Sequence, residues 1–157
     1  MPRYFIELAY NGSNYHGWQI QPGTPTVQEE LNRALSILLR EDINVVGAGR
    51  TDTGVHASFY VAHFDTADPL TGLEQIVYKL NRITGKAIAI YDIYIVESGM
   101  HARFSALSRT YKYYIDKQKD PFTCDFAWKV YPLPDIGKMN EACRILFEYT
   151  DFTSFSK

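Results

Sequence analysis

Two kinds of hydrophobic periodicity alternate along the first hundred residues in the order β-α-β-β-α-β, and that order restricts the fold more than composition does. Tyr4 to Tyr10 sets Tyr4, Ile6, Leu8 and Tyr10 on one side at a period of two, which predicts a first strand. Thr26, with Glu29 three residues on, is a capping box that opens a helix to about Arg40. Val27, Leu31, Leu35, Leu38 and Leu39 supply its apolar stripe. Ile43 to Gly47 reads as a short second strand, and Ser58 to Thr66 as a third, antiparallel to it if the chain reverses between them. Thr71 and Glu74 form a second capping box before the stripe Leu73, Ile76, Val77, Leu80 and Ile83, and Ile88 to Val96 is a further strand. A split βαβ order of this kind gives an α+β, ferredoxin-like (RRM-like) antiparallel sheet with both helices on one face. Phe59, Val61 and Phe64 lie where an RRM carries its base-stacking aromatics, but the basic and glycine positions of that motif are missing, so all three are assigned to the core.

Beyond this pattern the signals thin out. Arg109 to Asp116 predicts a fifth strand, with Tyr111, Tyr113 and Ile115 on one side and Thr110, Lys112 and Tyr114 on the other. After Pro132 and Pro134, Asp135 can cap a helix to about Tyr149, with Ile136, Met139, Cys143 and Leu146 along its buried side. One strand and one helix cannot close a sheet. The expected division is therefore a ferredoxin-like domain over residues 1–105 and the beginning of a second, similar domain over 106–157, cut short.

Composition excludes several classes. At 157 residues and 46% hydrophobic content the chain can bury a full core. It has no apolar run of eighteen residues and no signal-peptide pattern at Met1, so no membrane segment is expected and the cytoplasm is the default compartment. Cys124 and Cys143 are too few for a disulfide framework or a zinc site. Net charge is −2, unusual for an autonomous nucleic-acid binder, but the charge is uneven. Between His101 and Lys119 five basic residues, Arg103, Arg109, Lys112, Lys117 and Lys119, face one acidic residue, Asp116. Such a strip either steers a phosphate backbone to one face or simply protects an exposed strand edge.

The chemistry concentrates between the second and third strands, in Gly47-Ala48-Gly49-Arg50-Thr51-Asp52-Thr53-Gly54-Val55-His56-Ala57. Asp52 occupies the position where G-x-G-x-x-G would need its last glycine, and no Gly-Lys-Ser/Thr follows, so a phosphate-cradling loop is excluded. Gly54 between Asp52 and His56 opposes the helix that a shared metal would need, and no HExxH, Cys-x-x-Cys or DxDxDG spacing occurs in the chain. What remains is one carboxylate beside one fixed cation. Asp52 is then either a nucleophile or general base, or the partner of Arg50 in an ion pair that braces a turn. Tyr15, His16 and Trp18, in the loop after the Asn11-Gly12 turn, are either packed against the sheet or a platform for bases, and packing is the reading favoured here.

The stretch Gly49-Arg50-Thr51-Asp52-Thr53-Gly54-Val55-His56-Ala57 resembles the signature loop of the tRNA pseudouridine synthase A family, usually GRTDxGVHA. Five other stretches agree in the family's order: residues 10–21 (YNGSNYHGWQIQ), 26–28 (TVQ), 101–106 (HARFSA), 108–113 (SRTYKY) and 151–155 (DFTSF). Two departures are local. Thr53 stands where alanine is frequent, and residues 81–88 (NRITGKAI) replace a turn that usually contains Leu-Pro.

The resemblance implies an isomerase that converts uridine to pseudouridine in the anticodon stem-loop of tRNA, at positions 38, 39 and 40, with no cofactor and no metal. It implies Asp52 as catalytic nucleophile, Arg50 as its partner or as filler of the space the base leaves, and Tyr111 as the residue that stacks on the target base. Arg103, Arg109 and Lys112 are the candidate RNA phosphate contacts, on local charge. The family fold is the same architecture present twice, working as a cytoplasmic homodimer on tRNA. Its members run on past DFTSF to a further basic active-site residue, so this chain is expected to be truncated and inactive alone. A non-catalytic ferredoxin-like RNA-binding module is the alternative, and would be indifferent to the loss of Asp52.

Overall fold

The structure, a computed structural model, describes residues 1–155 and falls into two compact units, Met1–Thr110 and the segment from Tyr111 onward. In the first unit the elements are β1 (Arg3–Tyr10), α1 (Val27–Leu39), β2 (Val46–Gly47), β3 (Ala57–Asp65), α2 (Leu73–Ile83) and β4 (Ile88–Val96). The strands form one antiparallel sheet in the order β2-β3-β1-β4, the arrangement of a ferredoxin-like split βαβ fold. Tyr4, Ile6, Leu8 and Tyr10 of β1 are buried together with Tyr60, Ala62 and Phe64 of β3 and Ile88, Ile90 and Ile93 of β4. Val27, Leu31 and Leu35 of α1, and Ile76 and Leu80 of α2, cover that face. Each Leu, Ile, Val or Phe side chain withdrawn fully from water contributes about 1.5–3 kcal/mol.

Local chemistry sets the element ends. The Thr26 side chain accepts from the Glu29 N–H at 3.4 Å to start α1, and Arg40 ends it in the left-handed region at φ 57°. The expected box at Thr71 and Glu74 does not form. Gly72 takes the cap position at φ 65°, and its carbonyl receives the Gln75 and Ile76 N–H groups with no side-chain cap. At the other end of α2, the Thr84 N–H and hydroxyl both donate to the Leu80 carbonyl.

The second strand is shorter than its apolar run. Only Val46 and Gly47 pair with β3, although Ile43 and Val45 are buried. The main chain of that run bonds instead to α1: Ile43 N–H to Ser36 Oγ, Val45 N–H to Asn32 Oδ1, and Gln28 Nε2 to the Val45 carbonyl. Phe59 is not core. Tyr60, Ala62 and Phe64 take the helix-facing side of β3, so Phe59 and Val61 project from the opposite face, and Phe59 is 62% exposed.

In the second unit the fifth strand shrinks to β5 (Tyr114–Asp116), so Tyr111 and Lys112 precede it. It pairs in parallel with an unexpected β6 (Ala127–Lys129). The helix α3 (Ile136–Leu146) begins at Asp135, whose carboxylate accepts from the Lys138 N–H. Its stripe of Ile136, Met139, Cys143 and Leu146 is exposed where burial was expected. Within this unit two three-residue strands offer too little surface to cover a helix face.

Candidate active site

The loop between β2 and β3 is held from beneath by three aromatic side chains. Tyr60 stacks on Trp18 with ring centroids 4.4 Å apart and meets Tyr10 edge-on at 5.6 Å. Gly47 passes directly over this group, and a Cβ there would overlap the Tyr60 hydroxyl and the Trp18 ring. The Tyr60 hydroxyl accepts from the Gly49 N–H at 3.1 Å and donates to the Gly49 carbonyl. Thr51 is fixed twice, its carbonyl accepting from the Trp18 N–H at 3.2 Å and its hydroxyl lying 2.9 Å from the Tyr10 hydroxyl.

The far side of the loop is equally tied. The Asp52 carbonyl accepts from the Val55 N–H, closing a turn whose third residue, Gly54, has φ 78°, the positive value that type II turns require. Gly54 N–H donates to the Tyr15 carbonyl. His56 Nδ1 accepts from the Gly12 N–H at 3.1 Å and braces the 10–18 segment. The main chain on both sides of Asp52 is therefore pinned. Its side chain is not. Asp52 and Arg50 are both exposed, and among the described residues their side chains form no ion pair with each other. The turn-bracing ion pair is thus replaced by hydrogen bonds between the loop and Tyr10, Gly12, Tyr15, Trp18 and Tyr60.

On the sheet face away from the helices, the 100–105 turn is fastened by a second cluster. Arg3 grips both Asp65 oxygens at 2.7 Å and donates to the Met100 carbonyl. Buried His63 accepts at Nδ1 from the Ala102 N–H and lies 4.5 Å from the His101 ring. Burial, with the Arg3 cation nearby and His101 adding to it, pushes the His63 pKa down to about 4, so the ring is neutral at physiological pH. Arg3 in turn holds the Asp65 carboxyl below the usual carboxylate range.

The basic candidates separate by position. Arg109 donates from Nε to the Ala48 carbonyl at 2.9 Å and from Nη2 to the Arg103 carbonyl, joining the loop stem to the 100–105 turn. The Arg103 guanidinium lies over the Phe104 ring at 5.6 Å. Lys112 and Tyr111 are in the second unit and exposed, Tyr111 at 61%. Sequence reasoning placed Trp18 correctly in the packing but missed the supporting roles of Tyr10, Tyr60 and His63. The available signal was two tyrosines on an inward strand face at the loop end, since a buried phenol needs a partner.

The site is thus a ferredoxin-like sheet that projects one exposed carboxylate and one exposed guanidinium from a glycine-flanked, backbone-anchored loop, and comparison specifies its class. A family model described as tRNA pseudouridine synthase matches residues 8–105. The chain is 54% identical over its whole length to tRNA pseudouridine synthase A of Parabacteroides distasonis, covering 62% of that protein, and 55% identical to the Bacteroides thetaiotaomicron protein of the same name, covering 58% of it. Its counterpart from Chlorobaculum tepidum is 39% identical over 97% of this chain and 62% of its own. The chain belongs to the tRNA pseudouridine synthase family, and spans about 60% of the length of the curated relatives it matches.

Proposed function

We propose that this chain carries the catalytic-loop portion of a tRNA pseudouridine synthase, an intramolecular transferase that isomerises uridine to pseudouridine at positions 38, 39 and 40 of the anticodon stem-loop. The observation that carries the reading is the open Asp52 carboxylate on a main chain pinned at Gly49, Thr51 and Gly54. In the reaction the C1′–N1 bond breaks, the uracil turns, C1′–C5 forms, the C5 proton leaves and N1 gains one. Substrate and product are isomers, with no net oxidation or hydrolysis.

Asp52 is the nucleophile, able to hold the detached ribose or uracil as a covalent adduct while the base turns. The target must first leave the RNA stack at a cost of a few kcal/mol. Arg50 fills the space it vacates or steadies the Asp52 charge. Tyr111 stacks on the extruded base, worth about 1–3 kcal/mol, and assists loss of the C5 proton. Arg103 and Lys112 contact phosphate, and Arg109 does so with the guanidinium donors that Ala48 and Arg103 leave over. The working protein is a cytoplasmic homodimer on tRNA, and residues 1–157 alone have little or no turnover.

The test is release of tritium from C5-labelled uridine in unmodified tRNA, run on this chain and on a version extended to the length of its relatives. The extended protein turns over, and Asp52→Ala abolishes turnover while tRNA affinity stays within a few-fold. Retained turnover in Asp52→Ala would remove the nucleophile assignment. A silent extended protein would favour a binding module instead.

A further inference from the structure

We propose that Tyr60 is a positioning residue for the Arg50–Asp52 loop, acting through its hydroxyl alone; the inference rests on the pseudouridine synthase reading of that loop. Tyr60 lies eight residues beyond Asp52 on β3, and its ring is fixed before the hydroxyl is considered. Trp18 stacks on it, Tyr10 meets its edge, and only 9% of the residue is exposed. From that fixed ring one oxygen holds both main-chain polar groups of Gly49, accepting from the N–H and donating to the carbonyl.

Gly49 is the residue immediately before Arg50, and it has no side chain of its own to restrict it. A glycine samples far more backbone conformations than other residues, so an unheld Gly49 would let the loop leave the β2 stem in several directions. The next anchors, at Thr51, fix the far side of Arg50. Tyr60 and Thr51 thus bracket Arg50, and through it set the path by which the main chain reaches Asp52. The hydroxyl acts through the main chain of Gly49, which makes Tyr60 a positioning residue and not a catalytic one. A reacting group displaced by about 1 Å loses on the order of a hundredfold in rate, so a single hydrogen-bonding oxygen at this point is enough to matter.

One substitution separates the hydroxyl from the ring. Tyr60→Phe keeps the stack on Trp18 and removes the oxygen. In the extended protein, Tyr60→Phe is expected to lower kcat by tenfold or more with KM for tRNA within twofold. A Tyr60→Phe protein with kcat within twofold of its parent overturns the inference. Should the parent itself fail to act on tRNA, the functional reading falls separately, and amide hydrogen exchange at Gly49 decides the inference. Exchange at least tenfold faster in Tyr60→Phe upholds it, and an unchanged rate overturns it.

Discussion

The two units treat their apolar residues in opposite ways. In Met1–Thr110 the hydrophobic side chains of β1, β3, β4, α1 and α2 close on one another, and Ile6, Leu8, Leu31, Leu35 and Leu80 are wholly withdrawn from solvent. From Tyr111 onward no described residue is buried, and Phe122, Trp128, Tyr131 and Phe147 are each at least 70% exposed. Both stretches carry plausible helix caps and strand periodicity. Local pattern is therefore enough to form an element, and only a facing layer makes the element contribute to a core.

Truncating core side chains probes this contrast most strongly. Leu80→Ala should cost about 2–5 kcal/mol in urea unfolding, and Met139→Ala within about 0.5 kcal/mol of nothing. Equal costs would break the distinction. Acidification comes next. His63 has its folded pKa lowered to about 4, so the unfolded chain binds the extra proton between about pH 6.5 and 4 and stability falls as pH drops through that window, by on the order of 3 kcal/mol at the limit. Asp65, depressed by Arg3, adds a further loss in more acidic solution, as its carboxylate takes up a proton. His63→Gln should flatten the first part of the urea-midpoint profile, and an unchanged profile would remove His63 as its cause. The smallest effect is at the caps. Thr26→Ala should lower global stability by about 1 kcal/mol, whereas Asp135→Ala should leave the main transition where it is and alter only the helical signal of α3. A shift of the main transition in Asp135→Ala would mean that the second unit unfolds together with the first.

Apart from β2, the elements of the first unit were legible because each has a one-sided pattern that tertiary packing then honoured. β4 runs from Ile88 to Val96 as its alternation indicates, and α1 starts after Thr26 as its cap indicates. The errors share a cause. Ile43 to Val45 have a strand's composition, but their main-chain groups found partners in Asn32, Gln28 and Ser36, which no local window reveals. Phe59 was assigned to the core because the rest of an RRM motif was missing, when its place next to inward-facing Tyr60 puts it on the other face. The α3 stripe was read as buried because periodicity says which side of a helix is apolar and nothing about whether anything lies against it.

At the loop the residue types pointed to Arg50 and Asp52, and the resemblance gave them a chemistry. How that loop is held was not legible. Tyr10, Gly12, Tyr15, Trp18 and Tyr60 reach it from other parts of the chain, up to 44 residues away in the case of Gly12 and His56. Besides the two inward tyrosines, a clue lay in glycines whose missing Cβ leaves room for a neighbour, as at Gly17, where a Cβ would overlap the Thr51 carbonyl.

The anchoring of both flanks of Asp52 has a thermodynamic consequence. Fixing the backbone of one residue forfeits roughly 1–2 kcal/mol of conformational entropy, and at Thr51 and Gly54 that loss is incurred when the chain folds. A ligand arriving at the carboxylate meets a main chain already ordered, so its contacts need not offset that entropy a second time.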